Sequence, residues 1–150
     1  MRAVVQRVRS ASVISDGSLT GSIEQGLLIL LGVEVGDTSQ ELEWLVQKVA
    51  GLRIFADADG QMNTDLATIG GRCLVISQFT LLASTRKGKR PSYIRSARPE
   101  EAIPLYEQFV ARLGELTQTR IETGIFGADM QVSLVNDGPV TIIIDSRIKE

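Results

Sequence analysis

Ser77-Gln78-Phe79-Thr80 stands where a hydrophobic run beginning at Cys73 stops being purely hydrophobic. Serine, glutamine and threonine clustered there can supply hydrogen-bond donors, and backbone amides beside them can hold an oxyanion. Thr80 carries a hydroxyl that could act as a nucleophile, but the chain contains no histidine to activate it. The competing reading is a strand whose polar residues face solvent or a neighbouring strand.

Two absences narrow the chemistry further. Without histidine, Ser-His-Asp and Cys-His catalysis, histidine-ligated metals and any imidazole acid-base step are excluded. Cys73 is the only cysteine, which excludes an intrachain disulfide and a cysteine zinc site. An all-oxygen carboxylate site for Mg²⁺ stays formally open. Asp57, Asp59 and Asp65 lack the ligand spacing of an EF-hand and read as turn formers. No metal or cofactor is expected. A hydrolase made from this chain works with backbone amides, hydroxyls, carboxamides and groups on its substrate.

Three other segments could carry function. Gly138-Pro139 follows Asn136-Asp137 and precedes a strand. An ordinary turn is the default there, because only about 5–6% of X-Pro bonds in folded proteins are cis. In the cis form the bond would set two carbonyls side by side as a rigid backbone wedge. Thr123 to Met130 is glycine-bracketed around Phe126, which is either a wall for a nucleobase or core packing. Between Ser84 and Pro99 lie Arg86, Lys87, Lys89, Arg90, Arg95 and Arg98 with no acidic residue, against a net charge of −2 overall. The rest of the chain then holds 10 basic and 18 acidic residues. An acidic body with one basic segment suits a polyanion docking at one place; a solvated loop is the alternative.

The elements that must position these segments are legible from pattern. Arg2 to Ser15 alternates as a strand, with Val4, Gln6, Val8, Ser10, Ser12 and Ile14 on one face. Arg7, Arg9, Ala11 and Val13 make the other face mixed. Asp16-Gly17 is a hairpin turn leading into Ser18 to Ile23. Leu27 to Leu31 reads as a strand buried on both faces. Thr38 and Glu41 form a capping box opening a helix that buries Leu42, Leu45, Val46 and Val49 and ends near Gly51. Arg53-Ile54-Phe55 is a short strand and Cys73 to Leu82 a buried one. A second helix spans about Pro99 to Leu116 and buries Ala102, Tyr106, Phe109, Val110 and Leu113, with Pro104 positioned to delay or kink its start. Met130 to Val135 and Val140 to Asp145 are the last two strands. The order βββα-ββα-ββ gives an α+β class: mostly antiparallel, barrel-like or two-layer sheets with two helices packed on one side. At 150 residues, with no repeat or linker, residues 1–150 read as a single domain. No run is long enough to span a bilayer and no signal peptide is visible, so a cytoplasmic place is expected.

Taken together the segments are far more specific than any one of them. The sequence resembles the D-aminoacyl-tRNA deacylase family, also called D-tyrosyl-tRNA deacylase, from end to end. The resemblance rests on MRAVVQRV at 1–8, ASV at 11–13, GLLILLGVE at 26–34, RIFADADGQMN at 53–63, SQFTL at 77–81, RPSY at 90–93 and ADMQVSLVNDGPVT at 128–141.

That resemblance implies a homodimer with active sites across the subunit interface, acting on the 3′ end of aminoacyl-tRNA. Ser77, Gln78, Phe79 and Thr80 would line the pocket for the aminoacyl-adenosine end. Gly138-Pro139 would be cis, enter the partner's pocket and exclude an L side chain, while admitting glycine, including glycine mischarged on tRNA-Ala. Arg7 would hold that motif, with Met130, Asn136 and Phe126 among the substrate-binding residues. Arg86, Lys87, Lys89, Arg90 and Arg95 would meet tRNA phosphates. Hydrolysis would draw on the terminal ribose 2′-hydroxyl, which suits a chain without histidine. Phe79 and Thr80 are then expected to act mainly through backbone amides, with Thr80 as covalent nucleophile the minority reading. Ile125 and the tail from Ser146 to Glu150 depart from the family pattern and leave tRNA preference open. Two rivals differ in class: a module that binds without turnover, and an L-alanine-specific deacylase with a trans Gly-Pro.

Overall fold

The computed structural model describes residues 1–149; Glu150, at the end of the expected tail, lies outside them. Strand β1 (Arg2–Ser15) turns at Asp16-Gly17 into β2 (Ser18–Ile23), and β3 (Gly26–Gly32) follows. Helix α1 (Ser39–Ala50) opens on the expected capping box. The Thr38 hydroxyl accepts from the Gln40 amide at 3.2 Å, and the Thr38 amide donates to Glu41 at 2.8 Å. After it come β4 (Phe55–Ala56), β5 (Met62–Thr64) and β6 (Arg72–Ser77), then a 3₁₀ turn (Phe79–Leu82) and α2 (Pro99–Thr117). The chain closes with β7 (Ile121–Thr123) and β8 (Met130–Asp145). Asp57 caps its own turn, accepting from the Asp59 and Gln61 amides, as the turn-former reading requires.

Six strands make one curved sheet in the order β2-β1-β3-β6-β7, with β8 on the other edge of β1. Pairing is antiparallel around β1 and parallel at β3–β6 and β6–β7. The sheet nearly closes on itself where β2 approaches β7: a Cβ on Gly21 would stand 2.9 Å from the Thr123 carbonyl. Gly26 is glycine for the same reason, since a Cβ there would overlap the Arg72 backbone.

Both helices lie on one side. Leu42, Leu45, Val46 and Val49 of α1 share a core with Ala102, Tyr106, Phe109 and Leu113 of α2, together with Leu27, Ile29 and Leu31 of β3 and Cys73 and Val75 of β6. The intervening residues Leu28, Leu74 and Ile76 point the other way, into a second core with Val8, Ala11, Val13 and Ile23. Period-two alternation on strands buried on both faces therefore feeds two cores at once. Pro99 takes the first helical position of α2, and Pro104 lies within the helix without ending it.

Four local readings need correction. The run from Cys73 to Leu82 is a strand only to Ser77: its partner β3 ends at Gly32, and the chain turns so that Leu82 is buried beneath the strand ends. The last two strands are one, because β1 supplies partners along the whole of β8. The stretch between Asn136 and Thr141 bulges out, as Val8 pairs with Asn136 while Gln6 pairs with Thr141. The strand expected at Arg53 to Phe55 is Phe55–Ala56. Nor does β1 keep one buried face throughout. Ala3 and Val5 are buried before the irregularity, then Val8, then Ala11, Val13 and Ser15, because the register shifts at Arg7 to Arg9.

One ion pair joins the partners at one end of the β1–β8 ladder and ties that end to the 3₁₀ turn. Arg2 donates from Nε and Nη2 to Asp145 at 2.9 and 2.7 Å, and from Nη1 to the Leu81 carbonyl at 2.7 Å. Burial opposes ionisation of Asp145. The Arg147 amide, the Arg2 hydrogen bonds and the Arg2 charge outweigh it and hold the carboxyl below its ordinary value of 3.8. A depressed folded pKa stabilises the fold above the unfolded value and loses that contribution as pH falls through the folded one. Asp145→Asn should lower the melting temperature at neutral pH by roughly 2–4 °C. The difference should vanish well below pH 3.8, the ordinary value. A pH-independent difference in thermal melts would refute the ionic origin.

Candidate active site

Strands β3 and β6 run parallel and end together at Leu31 and Ser77, where the Gln78 amide makes the last rung to the Leu31 carbonyl at 2.8 Å. Beyond that rung the chain coils into the 3₁₀ turn, so the Phe79 and Thr80 amides stand outside the ladder. A pocket of about 270 Å³ opens here. The strand ends and the turn supply Leu31, Val33, Ile76, Ser77, Gln78 and Phe79; Ala97, Ala102 and Tyr106 come from the next segment and α2. Phe126, Gly127, Ala128, Met130 and Val132 close the far side.

Its walls are rigid and mostly apolar. The Tyr106 hydroxyl is buried and donates to the Val75 carbonyl at 2.8 Å. Burial pushes its pKa up, so it is a neutral wall. Phe126 meets the Tyr106 ring edge-on, with centroids 5.9 Å apart. The loop carrying Phe126 is pinned where the Ile125 amide donates to the Ser15 hydroxyl at 3.3 Å. A Cβ at Gly124 would meet the Met130 sulfur and push that flexible side chain from its place in the wall.

The nucleophile inventory is short. Thr80 does not line the pocket, and its hydroxyl accepts a hydrogen bond from the Gln78 side chain. Burial pushes the Cys73 thiol up to about 12, leaving it protonated and inert at neutral pH. Among the described residues no group of three or more histidine, cysteine, aspartate or glutamate side chains could hold a metal. What the site offers is shape, backbone amides and a few side-chain donors.

Of the residues singled out from sequence, Ser77, Gln78, Phe79, Phe126 and Met130 converge on this pocket. Gly138, Pro139, Arg7 and Asn136 do not line it; they form a second cluster on the β8 bulge. The Gly138-Pro139 bond is cis, and both residues are exposed. Arg7 Nε lies 3.1 Å from Asp137 Oδ2, and its Nη1 donates to the Ile54 carbonyl at 2.5 Å. Gly138 has φ +118°, and a Cβ there would come within 2.9 Å of the Arg7 guanidinium. Turned to face carbonyls, the Asn136 amide nitrogen donates to Arg7 at 2.8 Å and Val140 at 3.3 Å.

The basic segment divides. Arg86, Lys87, Lys89 and Arg90 are exposed on a loop closed by reciprocal Ser84–Ser92 backbone bonds of 2.8 and 2.9 Å. Arg95 instead turns to buried Glu34, donating from Nε at 2.8 Å, and that bond and charge raise its pKa. It anchors the loop's end. The wall residues Leu31, Val33, Ala97, Ala102, Tyr106 and Val132 were not named as site residues from sequence, while Gly127 and Ala128 lie within the Thr123 to Met130 segment read there as a possible wall. Tyr106 offered one signal, a hydroxyl on a helix face otherwise reading as core.

A family model described as D-Tyr-tRNA(Tyr) deacylase matches residues 4–145. The chain is 58% identical to the D-aminoacyl-tRNA deacylase of Akkermansia muciniphila and 57% identical to that of Cytophaga hutchinsonii, each over 150 residues and the full length of both chains. A solved structure titled c-Myc DNA Unwinding Element Binding Protein superposes with a TM-score of 0.89 at 39% identity, covering 97% of this chain and 98% of the other. A probable eukaryotic D-amino acid tRNA deacylase shares the fold at TM-score 0.84 and 14% identity, covering 95% and 97%. Among the described residues no helix is long and apolar enough to cross a membrane. By the span of the family match and the identity along the whole chain, the protein belongs to the D-Tyr-tRNA(Tyr) deacylase family.

Proposed function

We propose that this protein hydrolyses the ester of D-aminoacyl-tRNA, releasing the D-amino acid and tRNA. The observation that carries the reading is the convergence of Ser77, Gln78, Phe79, Phe126 and Met130 on one rigid pocket in a chain 58% identical to a D-aminoacyl-tRNA deacylase. An aminoacyl ester is already labile, so catalysis asks mainly for orientation and oxyanion stabilisation. The Phe79 and Thr80 amides contribute the latter, and the terminal ribose 2′-hydroxyl assists the attacking water. Thr80 positions and is not the covalent nucleophile: its hydroxyl accepts from the Gln78 side chain, and the chain has no histidine to serve as its base.

Chiral selection falls to Gly138-Pro139, brought into the pocket by a second copy. Three features support this. The pair is exposed on a bulge, it does not line its own chain's pocket, and Arg7 and Asp137 brace it from below. Braced backbone carbonyls yield less than a side chain would, so an L substituent is excluded by sterics while glycine on tRNA-Ala is admitted. The assay compares D-Tyr-tRNA, L-Tyr-tRNA and Gly-tRNA-Ala, each corrected for spontaneous hydrolysis. The D-ester and glycine ester should be lost and the L-ester spared, and Thr80→Ala should keep most of the rate. Equal cleavage of both tyrosyl enantiomers sinks the wedge. Complete loss on Thr80→Ala with the fold intact makes that hydroxyl the nucleophile.

The dimer is proposed because β8 is a 16-residue edge strand bearing exposed Leu134, Val135 and Ile143, the last 70% exposed. A long apolar edge of that kind is otherwise an aggregation hazard. Light scattering should return twice the 16.3 kDa chain mass, and a fully active monomer would overturn the shared site.

Arg86, Lys87, Lys89 and Arg90 meet acceptor-stem phosphates, as their exposure and lack of acidic neighbours suit. Four phosphate contacts imply that tRNA affinity drops roughly a hundredfold between about 50 and 200 mM salt. A flat salt profile in a filter-binding titration would remove the loop from the interface. The expected place of work is the cytoplasm, where tRNA is charged.

A further inference from the structure

Phe79 and Tyr93 form an aromatic pair at the pocket mouth, ring centroids 5.1 Å apart and planes at 71°. Phe79 lines the pocket yet is 55% exposed, and Tyr93, outside it, is 40% exposed. Such rings add little to the core, yet they are tightly held. The Ser96 hydroxyl donates to the Phe79 carbonyl and the Ser96 amide to the Tyr93 carbonyl, both at 2.9 Å. The Val35 amide holds Arg95, the Ala97 amide bonds Val33, and the Arg95 side chain is fixed on buried Glu34. On the other side of Tyr93 the Ser84–Ser92 bonds close the basic loop. Nothing in the proposed reaction uses Tyr93.

The pair thus stands between a nucleoside-sized pocket and a cationic loop. A chain that seats its 3′-terminal nucleoside in the pocket and its phosphates on the loop must pass the Tyr93 ring with the nucleotide in between. We propose that Tyr93 is a stacking site for the nucleobase of the penultimate nucleotide of the RNA acceptor end. The proposal rests on the deacylase reading for the pocket's occupant. Exposed aromatic faces beside cationic grooves hold successive bases without reading their identity, and losing one such stack costs about tenfold or more in affinity.

The test is equilibrium binding of the trinucleotide CCA, and of the same trinucleotide with the middle base removed, to wild type, Tyr93→Ala and Tyr93→Phe. Tyr93→Ala and the missing base should each weaken binding about tenfold, and together no more than either alone. Tyr93→Phe keeps the π face and should restore the wild-type value. Deacylation is then compared on D-Tyr-tRNA and on D-Tyr-adenosine, which has no penultimate nucleotide. The Tyr93→Ala loss in kcat/KM should fall on the tRNA. Equal losses on both substrates, or fully additive losses in binding, would mean that Tyr93 acts only by holding Phe79, and the stacking site falls. Wild type showing the binding pattern while cleaving neither ester would leave the stacking site standing and remove the deacylase reading instead.

Discussion

The rest of the structure depends on β1 being hydrogen-bonded along both edges. On one side it pairs β3 over Arg2 to Val8 and then β2 over Ala11 to Ser15; on the other it pairs β8 along nearly its whole length. Near the place where its partner on one edge changes from β3 to β2, the pairing with β8 on the other edge shifts register, between Gln6 and Ser10. Opposite Arg7, β8 carries four residues, Asp137 to Val140, between the partners of Gln6 and Val8, and so bulges outward. The bulge lifts Gly138-Pro139 to the surface while Arg7 and Asp137 stay beneath it. The bulge in the β1–β8 ladder is therefore what presents the motif.

The pocket follows from a different constraint, the meeting of the two cores. β3 and β6 are buried on both faces, so where they end together an apolar cleft is left between the helix-side core and the barrel-side core. Leu31 belongs to the first and Ile76 to the second, and both line the pocket. Polar character enters only at the strand ends, where the ladder stops and the 3₁₀ turn leaves amides outside it. An apolar cleft with a few convergent donors holds a ligand by shape and orients it by hydrogen bonds.

Charge is segregated in the same economical way. Glu34 is buried and carries Arg95 and Arg147 against it, at 2.8 and 3.4 Å. Among the described residues the loop cations Arg86, Lys87, Lys89 and Arg90 have no acidic partner, in an otherwise acidic chain. The Arg95–Glu34 pair links the loop to the pocket rim through Ser96 and Ala97, so the anchoring cation and the free cations have separate work.

Much was legible from residue pattern because it is local. The Asp16-Gly17 hairpin, the Thr38–Glu41 capping box, the two-faced burial of Leu27 to Leu31 and the apolar stripe of α2 each depend on neighbours within a few positions. Chemical exclusions were legible too: a chain without histidine cannot run imidazole chemistry in any fold. Long-range partners decided the rest. Cys73 to Leu82 reads as one strand until β3 runs out at Gly32, and Met130 to Asp145 reads as two strands until β1 is found to pair across the gap. Arg95 looks like its basic neighbours until Glu34, 61 residues earlier, takes its charge. Sequence alone determined which groups are present and which short elements they form, because those follow from local sterics and hydrogen bonding. Only the tertiary structure decided that Ser77 to Phe79 share a pocket with Phe126 and Met130 while Gly138-Pro139 stands elsewhere. Strand register and the closing of the sheet are set by contacts between segments far apart in the chain.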